Sequence, residues 1–434
     1  MSSSTVLPGL IRHFPSTPLS SKASSLPPPI PFLPASRTTT TTTSSRRLFH
    51  PRPTTTTPRR RPHPAEHPRP RAAAAAALST TTPSSLALPS MNAIRTTIAE
   101  NLGGPAHALA PSDSQFSLDA VPDLTGKVAV VTGGSEGIGY GCTHTLLSHN
   151  VAKLFIISQS ADIVSHALAA IRAELGAAAA ARVEWLPCDL SDWDAAADTA
   201  TQIARRTPRL DILICNAARG IMTAQRAPTN GVDLHMAVNH VGHSVVTSHL
   251  LPLLKRTAAE GRFVRVVHLG SNLHELAPAD TRFESVEELN RDLGPNAQYA
   301  RSKLAAILYA RYLAAHLRAE HPNVLVNASF PGIVDTRQTN EHIHEAYPLG
   351  GYGMSVLAAP FKKSAMQGAV STMYAATATE RSGEYVCPPA IVEKGSEMSG
   401  DRELGERLMR LTRELVAEKT REASVEQGCP FKDY

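Results

Sequence analysis

The feature that most constrains the fold is a glycine-rich turn between a run of β-branched residues and a helical pattern. The run KVAVVT spans residues 127–132, and Gly133, Gly134, Gly137 and Gly139 follow directly. β-Branched runs that close on glycines are typical of buried strands. Glycines at the strand-to-helix junction permit a tight turn and a close approach of the backbone to a ligand. The turn therefore predicts a βα unit whose helix N-terminus can bind a pyrophosphate.

The alternation of strand and helix continues along the chain. Strands are predicted at residues 127–132, 153–158, 183–187, 210–216, 263–269 and 324–330, with helices between them that include 232–255 and 297–317. Strict alternation implies right-handed crossovers and a parallel sheet covered on both faces. We predict an α/β fold with one doubly wound, Rossmann-type domain of about seven strands over residues 124–434. In such sheets ligands bind beyond the carboxyl ends of the strands.

The N-terminal segment has a different composition. Residues 1–90 contain 17 of the 33 prolines and 11 of the 43 Lys and Arg residues, but only one of the 38 acids, Glu66. With few large apolar side chains to offset the entropy of ordering, this leader is expected to be disordered. Its Arg- and Ser-rich composition is typical of a transit peptide. An untargeted tail and a true start at Met91 remain alternatives, so the protein is expected to be mitochondrial if the leader is genuine and cytoplasmic otherwise. Residues 91–123 would form an arm.

Composition excludes several classes of function. The basic pI near 9.0 comes from the leader, because the rest of the chain contains more acids than bases, and no nucleic-acid-binding face is expected. The five cysteines are widely spaced and form no CxxC pair, which argues against a disulfide framework. There is no apolar run of about 18 residues, so no transmembrane segment is expected. The histidines lack an HExxH pattern or cysteine partners, and we predict no metal site.

Four motifs occur in the order of a known family. They are TGGSEGIG (132–139), CDL (188–190), CNAA (215–218) and YARSK (299–303). Together they resemble the short-chain dehydrogenase/reductase superfamily over residues 124–415. Within it, VNHVGH (238–243) and FPGIVDT (330–336) are similar to the retinol dehydrogenase and WW-domain oxidoreductase branch. The resemblance implies an enzyme that transfers hydride between an alcohol or carbonyl compound and NAD(P)(H). His240 and His243 belong to the first of these two motifs and are expected to pack or cap.

A tyrosine and a lysine carry the predicted acid–base chemistry. Tyr299 and Lys303 are four residues apart, so both project from one helical face. A phenol has an unperturbed pKa of about 10, and a nearby ammonium favours the phenolate and lowers that pKa. Ser271, after the predicted strand 263–269, would hold the substrate oxygen. The resemblance also implies that Lys303 binds the ribose and that Asn239 steadies a water linking Lys303 to solvent.

The cofactor site is predicted at the glycine turn and the strand ends. The predicted residues are Gly133, Ser135, Gly137, Ile138 and Gly139 in the turn, Ser158 after strand two and, by resemblance, Asp189, Leu190, Asn216, Ala217, Tyr299, Lys303, Pro331, Gly332, Val334 and Thr336. An acid after strand two would favour NAD and an arginine NADP. Neither is present at residues 157–160. The hydroxyls of Ser135 and Ser158 favour NADP(H) slightly over NAD(H), although Glu136 would oppose a phosphate.

The substrate is expected to be a small lipophilic alcohol or carbonyl compound. Residues 338–363 lie where relatives place a variable substrate loop, and Tyr347, Tyr352 and Phe361 make this loop aromatic with few acids. These side chains could instead pack on the sheet. An amphipathic helix at 401–421 could cover the core or form a homo-oligomer contact. The alternative function is a catalytically silent NAD(P)-binding regulatory or interaction protein on the same fold. The presence of all four predicted catalytic residues favours the enzyme.

Overall fold

An eight-stranded sheet organises the part of the chain that the computed structural model describes, residues 116–332, 334 and 364–419. The strands are β1 Val128–Thr132, β2 Lys153–Ser158, β3 Val183–Pro187, β4 Ile212–Cys215, β5 Val264–Leu269, β6 Val324–Ser329, β7 Tyr385–Cys387 and β8 Ile391–Glu393. Their order is β3-β2-β1-β4-β5-β6-β7-β8. All neighbours pair in parallel except β7 and β8, which are antiparallel.

Seven longer helices connect and follow the strands in these residues. They are α1 Gly137–Ser148, α2 Ala161–Leu175, α3 Trp193–Arg206, α4 His243–Ala258, α5 Pro295–Leu317, α6 Ala365–Thr377 and α7 Arg402–Lys419. Shorter helical segments lie at Leu118–Ala120, Ala177–Ala180, Leu234–Met236, Asn272–Leu276, Val286–Leu289 and Glu397–Gly400, and a π-helical segment lies at Ala237–Gly242. Within the described ranges, no helix combines the length and the apolar character needed to cross a bilayer.

The helices cover both faces of the sheet. Helices α3, α4, α5 and α7 pack on one face, and α1, α2 and α6 pack on the other. Every residue of β1, β4, β5 and β6 is buried, as expected for strands of a parallel sheet enclosed between two helical layers. The predicted doubly wound α/β fold is therefore confirmed.

The structure differs from the sequence-based expectation at two places. The sheet ends in an antiparallel strand, β8. β7 and β8 have three residues each, too few to show a periodic pattern of apolar side chains in the sequence. The helix predicted at 232–255 is divided into a short helix, the π-helical segment and α4. The predicted leader and the predicted substrate loop at 338–363 lie outside the described residues.

The strand order determines where a ligand can bind. The chain runs outwards from β1 through β2 to β3, and then returns to place β4 on the other side of β1. This reversal between β1 and β4 opens a crevice beyond the carboxyl ends of the strands. The predicted site residues follow those strand ends or lie on the adjacent helices.

Candidate active site

The glycine turn after β1 has a backbone that side chains would not allow. Gly133 has φ +62° and Gly137 has φ +53°, in the left-handed region that favours glycine. A methyl group on Gly139 would lie 2.1 Å from the carbonyl oxygen of Gly133. Because α1 begins at Gly137, the first N–H groups of the helix have no intrahelical acceptor and can bind an anion. The turn therefore fits the pyrophosphate of a dinucleotide.

Thr132, the last residue of β1, joins this turn to the segment after β4. Its hydroxyl oxygen accepts hydrogen bonds from the backbone N–H groups of Asn216 at 2.8 Å and Ala217 at 3.0 Å. The Asn216 side-chain amide donates to the carbonyl oxygens of Thr132 at 2.9 Å and Gly133 at 3.2 Å. Asn216 and Ala217, the two residues predicted along the ribose, thus lie against the glycine turn.

The ends of β2 and β3 present hydroxyl and carboxylate groups. The hydroxyl oxygens of Ser135 and Ser158 are 3.4 Å apart. Asp189 is exposed, and its carboxylate accepts a hydrogen bond from the Ser191 N–H at 2.8 Å. Leu190 is buried, and its carbonyl oxygen would lie 2.2 Å from a methyl group on Gly242. Gly242 therefore allows the π-helical segment to approach the turn after β3.

The segment after β6 approaches the glycine turn from the other side. Pro331 is buried, and Gly332 has φ +86°. A methyl group on Gly368 of α6 would lie 2.5 Å from a methyl carbon of Val334 and 3.3 Å from a side-chain carbon of Ile138. Val334 and Ile138 therefore both lie beside Gly368 of α6. Thr336 lies outside the described residues.

Ser271, Tyr299 and Lys303 meet beyond the end of β5. The Tyr299 and Ser271 side chains are hydrogen-bonded to each other. The Lys303 Nζ is 5.6 Å from the centre of the Tyr299 ring and donates a hydrogen bond of 2.9 Å to the carbonyl oxygen of Leu269. Leu269 ends β5 two residues before Ser271. The arrangement places a hydroxyl, a phenol and an amine beside one another, as the sequence predicted.

Burial dominates the electrostatics of this group. It raises the pKa of Tyr299 to about 12, while the hydrogen bond with Ser271 lowers it. Burial also lowers the pKa of Lys303 to about 8. Desolvation therefore places the pKa of Tyr299 above its ordinary value, whereas the sequence predicted a lowering by the nearby ammonium. At neutral pH the phenol is protonated and the lysine is mostly charged.

Asn239 lies in the π-helical segment and is held by bonds to two elements. Its carbonyl oxygen Oδ1 accepts from the Arg219 N–H at 2.7 Å, and its Nδ2 donates to the Arg219 carbonyl at 3.0 Å and to the Ser302 hydroxyl at 2.9 Å. Ser302 in turn donates to the Tyr299 carbonyl at 2.7 Å. The Asn239 amide is thus linked through Ser302 to α5, the helix of Tyr299 and Lys303. Its role in a water relay stays a prediction.

His243 connects the π-helical segment to the glycine turn. Its Nδ1 lies 3.2 Å from the Asn239 carbonyl oxygen and its Nε2 lies 2.8 Å from the Thr132 hydroxyl. A carbonyl can only accept, so Nδ1 carries the proton and Nε2 accepts from Thr132. Burial lowers the pKa of His243 to about 4, so the imidazole is neutral. No group of three or more His, Cys, Asp or Glu side chains that could hold a metal occurs within the described ranges.

Sequence reasoning missed four residues that support this site. They are Thr132, Gly242, Ser302 and His274. Each lies inside or beside one of the recognised motifs, and this position in the sequence was the signal that could have identified it. Their hydrogen bonds and close approaches join segments far apart in the chain, and no local pattern contains that information.

Comparisons with known proteins agree with the fold described above. The family model for short chain dehydrogenases matches residues 127–275. A Neurospora crassa protein named as oxidoreductase bli-4, mitochondrial, is 51% identical over 348 residues, 79% of this chain and 84% of that protein. Mouse polyprenol dehydrogenase is 32% identical over 68% of this chain and 85% of its own length. A crystal structure of an uncharacterised protein from Mycobacterium paratuberculosis, 21% identical, covers 70% of this chain and 97% of its own with a TM-score of 0.53, which shows a shared fold.

Proposed function

Because the chain belongs to the short-chain dehydrogenase/reductase family, we propose that it interconverts a lipophilic alcohol and its carbonyl compound with NADP(H). Membership makes it an oxidoreductase that acts on CH–OH or C=O groups. The observation that carries the proposal is the meeting of the Ser271 hydroxyl, the Tyr299 phenol and the Lys303 amine beyond the carboxyl end of β5.

The residues around the crevice fit a dinucleotide. The N–H groups at the start of α1 would hold the pyrophosphate, Asn216 and Ala217 would line the adenosine ribose, and Lys303 would bind the nicotinamide ribose. When bound, the nicotinamide supplies or accepts the hydride. The protein supplies the proton and the orientation of the substrate.

Each catalytic side chain has a distinct task in this proposal. The Ser271 hydroxyl holds the substrate oxygen by a hydrogen bond. The Tyr299 hydroxyl donates its proton to that oxygen in reduction and takes it back in oxidation. The Lys303 ammonium stabilises the phenolate by its charge. Because the pKa of Tyr299 is about 12, the protein holds the protonated form that reduction requires at neutral pH.

The environment of Ser158 supports NADP(H). β2 ends at Ser158, whose hydroxyl lies 3.4 Å from that of Ser135. In the proposed binding mode these two hydroxyls would face the ribose 2′ group. The nearby Asp189 carboxylate already accepts a bond from the Ser191 N–H. We expect kcat/KM to be higher with NADPH than with NADH. A preference for NADH would contradict this part of the proposal.

Two observations support a lipophilic substrate. Leu276, five residues after Ser271, is 56% exposed and offers apolar surface close to the catalytic serine. The mouse relative, as a polyprenol dehydrogenase, is named for a long-chain lipid alcohol.

The Neurospora relative, whose name includes mitochondrial, supports the further proposal that residues 1–90 direct the protein to mitochondria.

A substrate panel with purified protein tests the proposal. Rates with NADPH would be compared for long-chain isoprenoid, retinoid and steroid carbonyl compounds and for small polar ketones. We expect kcat/KM to be at least about tenfold higher for the lipophilic group, since each added apolar contact contributes to transition-state binding. Equal or higher rates with polar ketones would contradict the lipophilic assignment. Cofactor binding without turnover of any carbonyl compound or alcohol would contradict the enzymatic one.

A further inference from the structure

His274 makes two hydrogen bonds that connect the catalytic serine to a segment from the far end of the chain. This side chain is buried, in the short 3-10 helix after Ser271. Its Nδ1 lies 2.6 Å from the Ser271 carbonyl oxygen. Its Nε2 lies 3.0 Å from the backbone N–H of Ser396, which follows β8. Both ring nitrogens are therefore used.

The two partners fix the protonation of the ring. A carbonyl oxygen can only accept and a backbone N–H can only donate, so Nδ1 must carry the proton and Nε2 must accept. Burial lowers the pKa of His274, which keeps the ring neutral. The neutral Nδ1–H tautomer satisfies both bonds, whereas a charged ring would set two donors against each other at Ser396.

The segment that His274 contacts is also attached to the catalytic helix. Arg311 of α5 donates to the Lys394 carbonyl at 2.8 Å and to the Ser399 hydroxyl at 3.1 Å. Gly395 allows the close approach, since it has φ +70° and a methyl group there would lie 3.3 Å from the His274 Nε2. We call residues 394–399 the brace segment. It is bonded on one side to the element of Ser271 and on the other to the helix of Tyr299 and Lys303.

We propose that His274 is a positioning residue for Ser271: its Nδ1–H bond to the Ser271 carbonyl oxygen keeps the Ser271 hydroxyl within reach of Tyr299, and the bond of Nε2 with the brace segment selects the tautomer that carries this proton. The inference rests on the proposed function, because it concerns the orientation of the serine that would hold the substrate oxygen. His274 itself touches neither substrate nor cofactor in this account. A small displacement of an orienting group can lower a rate by one or two orders of magnitude.

Two substitutions separate positioning from packing. His274→Phe keeps an aromatic ring against Tyr385, whose ring centre is 5.3 Å from that of His274, but removes both hydrogen bonds. His274→Asn loses the ring but keeps a donor near the position of Nδ1. His274→Gln places its amide near Nε2, so it keeps an acceptor for Ser396 and loses the donor to Ser271. The Gln variant replaces the Phe variant in the experiment if His274→Phe does not fold.

His316 provides a matched control in α5. Its Nδ1 bonds the Tyr312 carbonyl at 2.9 Å and its ring stacks on Tyr312 at 4.0 Å, but it has no bond to Ser271 or the brace segment. Substitutions of His316 by Phe and Asn therefore remove similar contacts elsewhere. We expect kcat of both control variants to stay within about twofold of the wild type, because surface changes away from the site have small effects.

The experiment combines kinetics with amide hydrogen exchange. We expect His274→Phe to lower kcat by about tenfold or more while KM for the dinucleotide changes less than about twofold, and His274→Asn to retain most of kcat. Exchange across residues 270–276 should accelerate in the Phe or Gln variant and remain close to wild type in the Asn variant. The inference is overturned if the Phe and Gln variants keep wild-type exchange there, or if Asn loses as much kcat as Phe. Hydrogen exchange can be measured without turnover. If the wild-type protein is inactive, the proposed function is overturned, and the exchange result alone decides whether His274 positions Ser271.

Discussion

At the scale of single residues, Lys303 is an ammonium held where the protein disfavours charge. It is 4% exposed, and its hydrogen bond to the Leu269 carbonyl does not offset desolvation, which lowers the pKa to about 8. The ordinary pKa of a lysine side chain is 10.5. The folded protein therefore binds this proton less tightly than the unfolded chain does. In the proposed mechanism the charge of Lys303 stabilises the phenolate, so the site would gain this function at the expense of the stability of the fold.

Replacing Lys303 with Met should stabilise the protein and remove its activity. One pKa unit corresponds to about 1.4 kcal/mol, so the buried charge costs roughly 3 kcal/mol below pH 8, where both states are protonated. Met cannot donate to the Leu269 carbonyl oxygen, and loss of this hydrogen bond lowers the expected gain in the free energy of unfolding by about 1 kcal/mol. Between pH 8 and 10.5 the folded protein releases its proton and the difference from wild type should shrink. Urea unfolding at pH 7 and pH 10 measures the difference in the free energy of unfolding between Lys303→Met and the wild type. A variant less stable than the wild type at pH 7 would contradict this prediction.

At the scale of elements, the π-helical segment positions Asn239 so that its amide bonds Ser302 of α5. The amide spans from the Arg219 backbone to Ser302, the residue before Lys303. Gly242 lets this segment lie against the Leu190 carbonyl. The break in the helix and the position of the amide are thus consequences of packing between the segments after β3 and β4.

Removing the Ser302 hydroxyl should disturb catalysis more than folding. Ser302→Ala leaves the Asn239 amide with one fewer acceptor, which costs about 1–2 kcal/mol for a buried group, and frees the Tyr299 carbonyl. We expect a roughly tenfold fall in kcat with little change in KM for the dinucleotide. Ser244→Ala is the matched control, because that buried hydroxyl bonds only the His240 carbonyl in the preceding turn. Equal kinetics in the two variants would show that the link through Ser302 has no catalytic role.

Local patterns predicted most elements, because burial on both faces of the sheet leaves continuous apolar runs in the sequence. The bounds of β2, at 153–158, and of β3, at 183–187, agree with the structure. The predictions were wrong where tertiary contacts decide the local structure, as in the division of the helix at 232–255 and the antiparallel edge strand. The same distinction holds for the site. The shared helical face of Tyr299 and Lys303 follows from their spacing, whereas Ser396, which bonds His274, lies 122 positions away from it in the chain.

At the scale of the whole molecule, the net positive charge comes from the leader. Residues 1–90 have 11 Lys and Arg residues and a single acid, whereas the rest of the chain has more acids than bases. Import into mitochondria depends on such positive, acid-poor sequences. We expect residues 1–90 fused to a fluorescent reporter to direct it to mitochondria. The control is the same fusion with Arg46, Arg47 and Arg59–Arg61 changed to Gln, which should remain cytosolic, and a cytosolic wild-type fusion would contradict the prediction.

The whole account depends on the phenol of Tyr299 as the group that moves the proton. The most direct measurement is turnover and NADPH affinity of Tyr299→Phe beside Tyr312→Phe, a change in the same helix at a tyrosine that stacks on His316. General acid–base catalysis contributes about 10²–10⁴-fold. We predict that Tyr299→Phe loses at least about a hundredfold in kcat while binding NADPH within about threefold of wild type, and that Tyr312→Phe keeps its rate. Retained turnover in Tyr299→Phe would contradict the central claim.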